Sequence, residues 1–181
     1  HGLPNNQFNF KSAYKDEDGY MYFGTINGLC YFHPDSLIVN YLPPSIYLSD
    51  FKLFNKSVPV GEQSLLSQSI NSTESIALDY SQNVITFEFA AINYFSLGNN
   101  SYAYYLEGFE EDWNFVGNKK NATYTNLSPG SYTFKVKAAN NDGVWSNEVR
   151  SIQLTVHPPF WKSNWALLLY ILLIVGLFLV Y

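Results

Sequence analysis

Three acids in a row, Glu110-Glu111-Asp112, run into Trp113. Paired carboxyl groups beside an aromatic ring are the parts of a glycoside hydrolase site. One protonates the leaving oxygen while the other attacks or activates water, so the two must flank the bond. Neighbours on one short loop cannot flank anything, and the run reads as a solvated turn. Asp16-Glu17-Asp18-Gly19 opens like a calcium loop, but a third spaced ligand and a closing glutamate are missing. Asp18-Gly19 is in any case explained as a hairpin turn. His1, His33 and His157 share no ligand spacing, and the last two each precede a proline at a strand end. Cys30 is the single cysteine, so no intrachain disulfide can form. Between apolar neighbours it reads as a small buried hydrophobe rather than a nucleophile. The chain has no phosphate-binding loop, dinucleotide fingerprint or nucleophile elbow. No catalytic residue, metal ligand or cofactor is expected.

What remains is aromatic. Rings make up 18% of the residues, chiefly 15 Tyr and 14 Phe, enough to set the fold and offer a stacking surface. Exposed rings can stack on sugar faces, whereas buried ones build a core. Tyr104 and Tyr132 fall on the apolar phase of their strands and are expected in the core. Trp113 and Trp145 are expected as core or sheet-end residues. Tyr105 lies off the apolar phase and is a candidate for surface contact. Asn55, Asn71, Asn99 and Asn121 each begin an N-x-S/T triplet, which means glycosylation only in a eukaryotic secreted protein. Ten basic residues against 15 acids, net −5, argue against nucleic acid, because phosphate binding needs a basic patch.

These side chains must be held by strands. Charged residues are only 14% of the chain, and an aromatic-rich, charge-poor composition favours sheet. Residues 11–33 carry two hairpin signals, Asp18-Gly19 and Asn27-Gly28, each suited to a type I′ turn. They separate three short antiparallel strands, a unit too small to stand without neighbours. Pro43-Pro44 then stiffens the chain into a linker and marks a domain boundary. Eight candidate strands come after it, in 45–54, 74–80, 83–92, 101–109, 113–117, 122–127, 130–140 and 147–156, with a polar loop over 60–73. Alternation is clear at Ile85, Phe87 and Phe89, at Tyr132, Phe134, Val136 and Ala138, and at Ile152, Leu154 and Val156. Each set is one buried face of a strand. The pattern predicts an all-β fold, an immunoglobulin/fibronectin III-like β-sandwich. The turn through Pro129-Gly130 into Tyr132 fits the tyrosine corner of such sandwiches.

The last stretch differs. Nothing charged lies beyond Lys162, and 165–181 is apolar on every side. A helix there would cover about 26 Å, just short of a ~30 Å hydrocarbon core. A buried core helix is the alternative, but all-round apolarity suits lipid better. Trp161, Lys162 and Trp165 precede it as interface anchors. The start, His1, shows no signal peptide and is expected to be a cut within a longer protein.

The stretch 102–146 resembles the Y_Y_Y domain of bacterial, Bacteroides-type, hybrid two-component sensor histidine kinases. The matching positions are Tyr102, Tyr104, Leu106, Glu107, Gly108, Trp113, Tyr124, Leu127, Pro129, Gly130, Tyr132, Gly143 and Trp145. Residues 16–34 are similar to the closing blade of the periplasmic β-propellers of those sensors. Pro158, Pro159, Phe160 and Trp161 match the family's segment between that domain and the membrane helix. The resemblance implies 1–43 as C-terminal propeller blade strands, 44–157 as the sandwich, and 158–181 as juxtamembrane linker and transmembrane helix. It implies a periplasmic β domain tethered to the inner membrane, a homodimer, and an oligosaccharide ligand bound by propellers outside this chain. The segment would pass that signal through its linker to a cytoplasmic kinase, and would itself be non-catalytic. A membrane-anchored sandwich that binds carbohydrate or protein directly is the alternative.

Overall fold

A computed structural model describes residues 7–37, 40–93 and 99–180. The chain forms two units, His1–Tyr41 and Leu42–Tyr181.

The first unit is an antiparallel meander of β1 (Phe8–Lys15), β2 (Met21–Thr25) and β3 (Gly28–Phe32). The strands fall where the residue pattern predicts them, but neither turn has the expected form. Thr25 pairs with Gly28, so the two-residue loop is Ile26-Asn27, and only Gly28 takes a positive φ, 133°. The connection before β2 is longer than two residues. Asp16 organises it: its carbonyl accepts from Gly19 N–H and its carboxylate accepts from Tyr20 N–H. A side chain thus supplies what the backbone of a tight turn would. Both faces of the sheet carry rings, with Tyr22 stacked on Tyr31 at 5.7 Å and Phe23 on Phe32 at 5.8 Å. Cys30 is half-buried rather than buried, because a single layer leaves its residues partly open.

Among the described residues the second unit has nine strands: β4 (Ser45–Leu53), β5 (Lys56–Ser57), β6 (Ser75–Leu78), β7 (Val84–Ile92), β8 (Ser101–Glu107), β9 (Asn114–Gly117), β10 (Asn121–Thr125), β11 (Gly130–Ala139) and β12 (Arg150–Val156). They form a four-stranded sheet, β10-β7-β4-β5, and a five-stranded sheet, β6-β12-β11-β8-β9. Neighbours are antiparallel except β6 and β12, which run parallel. This is the immunoglobulin/fibronectin III-like sandwich that the alternation predicts.

The core forms where the inner faces meet. All the residues singled out on β7, β11 and β12 by their alternation are buried. Phe134 on β11 stacks on Phe87 across the two sheets, with ring centroids 4.2 Å apart and planes at 8°. Thr86 sits on the polar phase of β7 yet is buried; its hydroxyl shares a hydrogen bond with that of Thr123 on β10, which offsets the desolvation. The polar loop over 60–73 is irregular, as expected, but Leu66 and Ile70 drop from it into the core. The Arg150 guanidinium holds the loop by donating to the carbonyls of Asn71 and Thr73.

Candidate functional site

The acidic run separates into one structural acid and two solvated ones. Glu111 and Asp112 are exposed. Glu110 turns inward, accepting from Leu106 N–H at 2.6 Å, from Asn114 Nδ2 at 2.8 Å and from the Tyr124 hydroxyl at 3.1 Å. Burial first, then the charge of Glu110, holds the Tyr124 hydroxyl far above the usual tyrosine range. It therefore stays protonated and serves as a fixed donor. Glu110 braces the β8–β9 turn, which the expectation of a purely solvated run missed. A glutamate close after the strand, with a tyrosine on the apolar phase of a later one, was the available signal.

The tyrosines at 102, 104, 124 and 132 lie largely inside. Tyr102 and Tyr124 are buried, and Tyr104 is half-buried with its ring 6.2 Å from those of Phe134 and Tyr124. The Tyr102 hydroxyl accepts from Ala91 N–H, tying the two sheets together. Leu106 is fully buried and Leu127 packs against the core from its edge. Glu107 is exposed and pairs with Lys135. Gly108 has φ +91°, and a Cβ there would meet the Ser131 carbonyl and the Tyr132 ring at 3.2 Å. Pro129 and Gly130 are exposed at the turn. Tyr132 closes the tyrosine corner by donating its hydroxyl to Ser128 O at 2.8 Å.

Trp113 and Trp145 were expected in the core or at a sheet end. They lie at sheet ends, on the outer face of the five-stranded sheet: Trp113 immediately precedes β9, and Trp145 bridges to the last residue of β11. Lys137 alternates with the buried Val136 and Ala138, so it points outward; its ammonium lies 4.3 Å from the Trp113 ring, 5.3 Å from Trp145 and 5.5 Å from Phe115. Such contacts stabilise by roughly 0.5–1 kcal/mol each at exposed sites. Tyr105 joins the group, 5.9 Å from Trp113. Ala103 faces Lys137 across the β8–β11 register and is fully covered. The loop carrying Gly143 (φ +82°) presents Trp145, which bridges to Ala139.

The junction to the tail is closely held. His157 N–H donates to Leu78 O, prolonging the β6–β12 ladder. Pro158 is exposed and Pro159 buried. Phe160–Lys162 make one 3-10 turn, and the Trp161 ring meets Tyr80 edge-on at 4.9 Å. Ser163 caps the helix α1 (Asn164–Val180), its hydroxyl accepting from Ala166 N–H. From Trp165 to Gly176 the side chains are exposed, apart from half-buried Ala166. The helix has 17 residues, and among the described residues no helix is long and apolar enough to cross a membrane. The expected span ran to Tyr181, which lies outside the described residues, as does His1. His33 sits beside the first hairpin, its ring nitrogen 3.2 Å from Asp18 O, and His157 is exposed at the end of β12.

Residues 93–157 match the model of the Y_Y_Y domain. That stretch holds β8 to β12, and β4 to β7 complete the sandwich. Over 174 residues, 96% of this chain, the sequence is 40% identical to Histidine kinase P4 of Formosa agariphila, of which the match covers 13%. The extracellular domain of a B. thetaiotaomicron protein described as a putative hybrid two component system, BT3049, superposes with a TM-score of 0.63 at 29% identity, covering 81% of this chain and 20% of that one. That of a second, BT4673, gives 0.60 at 30% identity, covering 83% and 20%. The chain thus spans a small part of the proteins it matches. It contains a Y_Y_Y domain and is homologous to a segment of Histidine kinase P4 and to the extracellular domains of putative hybrid two component systems.

Proposed function

We propose that this chain is the periplasmic signal-transmitting segment of a hybrid two-component sensor kinase of the inner membrane. Residues 1–43 are closing propeller strands, 44–157 the sandwich, and 158–181 the linker and membrane helix. Propellers outside the chain bind the ligand, an oligosaccharide. Two copies pair, and the ligand acts by favouring one arrangement of the pair. The segment itself is non-catalytic; its part is mechanical.

The observation that carries this reading is the junction. Buried Pro159, the Trp161–Tyr80 contact and the Ser163 cap leave no slack between β12 and α1. A displacement of the sandwich is then passed to the helix rather than dissipated. The apolar, exposed sides of α1 from Trp165 to Gly176 support its place in lipid. Replacing Pro158-Pro159 by a long Gly/Ser linker in the full-length receptor is expected to abolish ligand-dependent autophosphorylation while leaving ligand affinity intact. Unchanged signalling would refute the lever.

One observation favours a second reading, in which the sandwich binds carbohydrate or protein itself. The rings of Trp113, Phe115 and Trp145 around Lys137 form an outward aromatic surface, with Phe115 65% exposed. Calorimetry of this chain with oligosaccharides separates the two. The lever reading expects no heat of binding without the propellers; tight binding would transfer the ligand site to the sandwich.

A further inference from the structure

We propose that the turn after β6 is a second foot of the protein on the membrane: Tyr80, with Trp161, seats that end of the sandwich in the lipid headgroup layer. This rests on the membrane reading of α1, and extends it from the helix to the body of the domain.

Four aromatic rings are exposed at this end of the unit. Tyr80 is 43% exposed, Trp161 41%, Phe160 77% and Trp165 82%. Three of them form a chain of contacts: Tyr80 meets Trp161 at 4.9 Å, and Trp161 meets Phe160 at 5.0 Å. Trp165 comes next, in the first turn of α1, and Lys162 stands between. Tyrosine and tryptophan have an apolar body and a polar tip, which suits the boundary between acyl chains and water. Lysine there reaches its ammonium into the headgroups.

The linker rings are near the membrane because the chain must pass there. Tyr80 is different, since it belongs to the sandwich, 81 residues before the tail's Trp161. Two contacts fix it at that level. His157 N–H to Leu78 O binds the end of β6 to the linker, and a turn closed by Gln82 N–H to Asp79 O presents the ring outward. Lipid is the occupant because these rings lie directly ahead of a helix that exposes Leu, Ile, Val and Tyr, with only Lys162, Ser163 and Asn164 between Trp161 and Trp165. With two points of contact rather than one, the sandwich stands on the bilayer in a defined orientation. A tilt of the domain is then felt by α1 as rotation or displacement.

The test uses this chain in phosphatidylcholine vesicles, in a Cys30→Ser background. Ser81→Cys, beside Tyr80 and exposed, carries a polarity-sensitive fluorophore. Leu172→Cys reports on α1, and Asn147→Cys on the far end of the sandwich. Headgroup-labelled quencher lipids are expected to quench the Ser81 probe several-fold more than the Asn147 probe. Adding Tyr80→Ser is expected to remove most of that difference. If the Leu172 probe is shielded by lipid but the Ser81 probe behaves like the Asn147 probe, the second foot is refuted and the membrane helix stands. If the Leu172 probe is in water, both readings fall. If the Ser81 probe is shielded only as protein density rises, with no lipid quenching, a second copy covers Tyr80 and the lipid proposal is overturned.

Discussion

Replacing Phe134 by alanine is expected to destabilise the sandwich by about 3–5 kcal/mol. Its ring is fully buried, stacks on Phe87 at 4.2 Å and lies within 6.4 Å of Phe89, Tyr104 and Tyr124. The loss combines the transfer free energy of the ring with the cavity it leaves between two sheets that cannot close around it. Against a total stability of roughly 5–15 kcal/mol, that is a large fraction. Urea unfolding should show a much lower midpoint with little change in slope. Lys135→Ala, on the next and outward position, removes only a surface ion pair with Glu107 and is expected to cost about 0–1 kcal/mol. Equal effects at the two positions would contradict the assignment of Phe134 as the centre of the core.

Asn140→Ala is expected to cost about 2–4 kcal/mol, from three hydrogen bonds lost together and donors left poorly paired. The side chain is 1% exposed. Its Oδ1 accepts from the N–H groups of Asp142 and Val144, and its Nδ2 donates to Leu42 O at 3.0 Å. One residue thus ties the turn before Trp145 to the start of the second unit. Beyond the drop in midpoint, amide exchange at Asp142 and Val144 is expected to quicken. Asn140→Asp keeps the acceptor for both amides but sets a carboxylate oxygen against Leu42 O at a buried site, so it should preserve the turn while stability still falls. Slow exchange at both amides in Asn140→Ala would remove the turn from this account.

The junction and the core act at different points of the same path. A soft core would let the sheets shear under load, and a soft junction would lose what the sheets transmit. Variants of the first kind are expected to lower stability before signalling, and Gly/Ser linkers the reverse, so the two can be told apart in one receptor.

Residue order alone is enough to specify the strands other than the two-residue β5, the sandwich, the tyrosine corner at Tyr132 and the apolar tail. Alternation at Ile85–Phe89 and Tyr132–Ala138 states directly which side chain leaves water, and a hydrophobic run states it for the tail. These are local properties, carried by neighbours along the chain. The parts played by Glu110, Trp113, Trp145, Tyr80 and Thr86 emerge only once the sheets are assembled. Glu110 looks like part of a solvated run until Leu106, Asn114 and Tyr124 are seen to converge on it. For Trp113 and Trp145 the choice between core and sheet end stays open until Lys137, on a strand between them in sequence, is found under both rings. Leu66 and Ile70 sit in a stretch polar enough to read as all loop. The parallel match of β6 with β12 joins segments far apart in the chain, and so places Tyr80 beside Trp161. Burial and periodicity belong to a strand alone, whereas a partner's identity depends on which distant segments the sheet order makes neighbours.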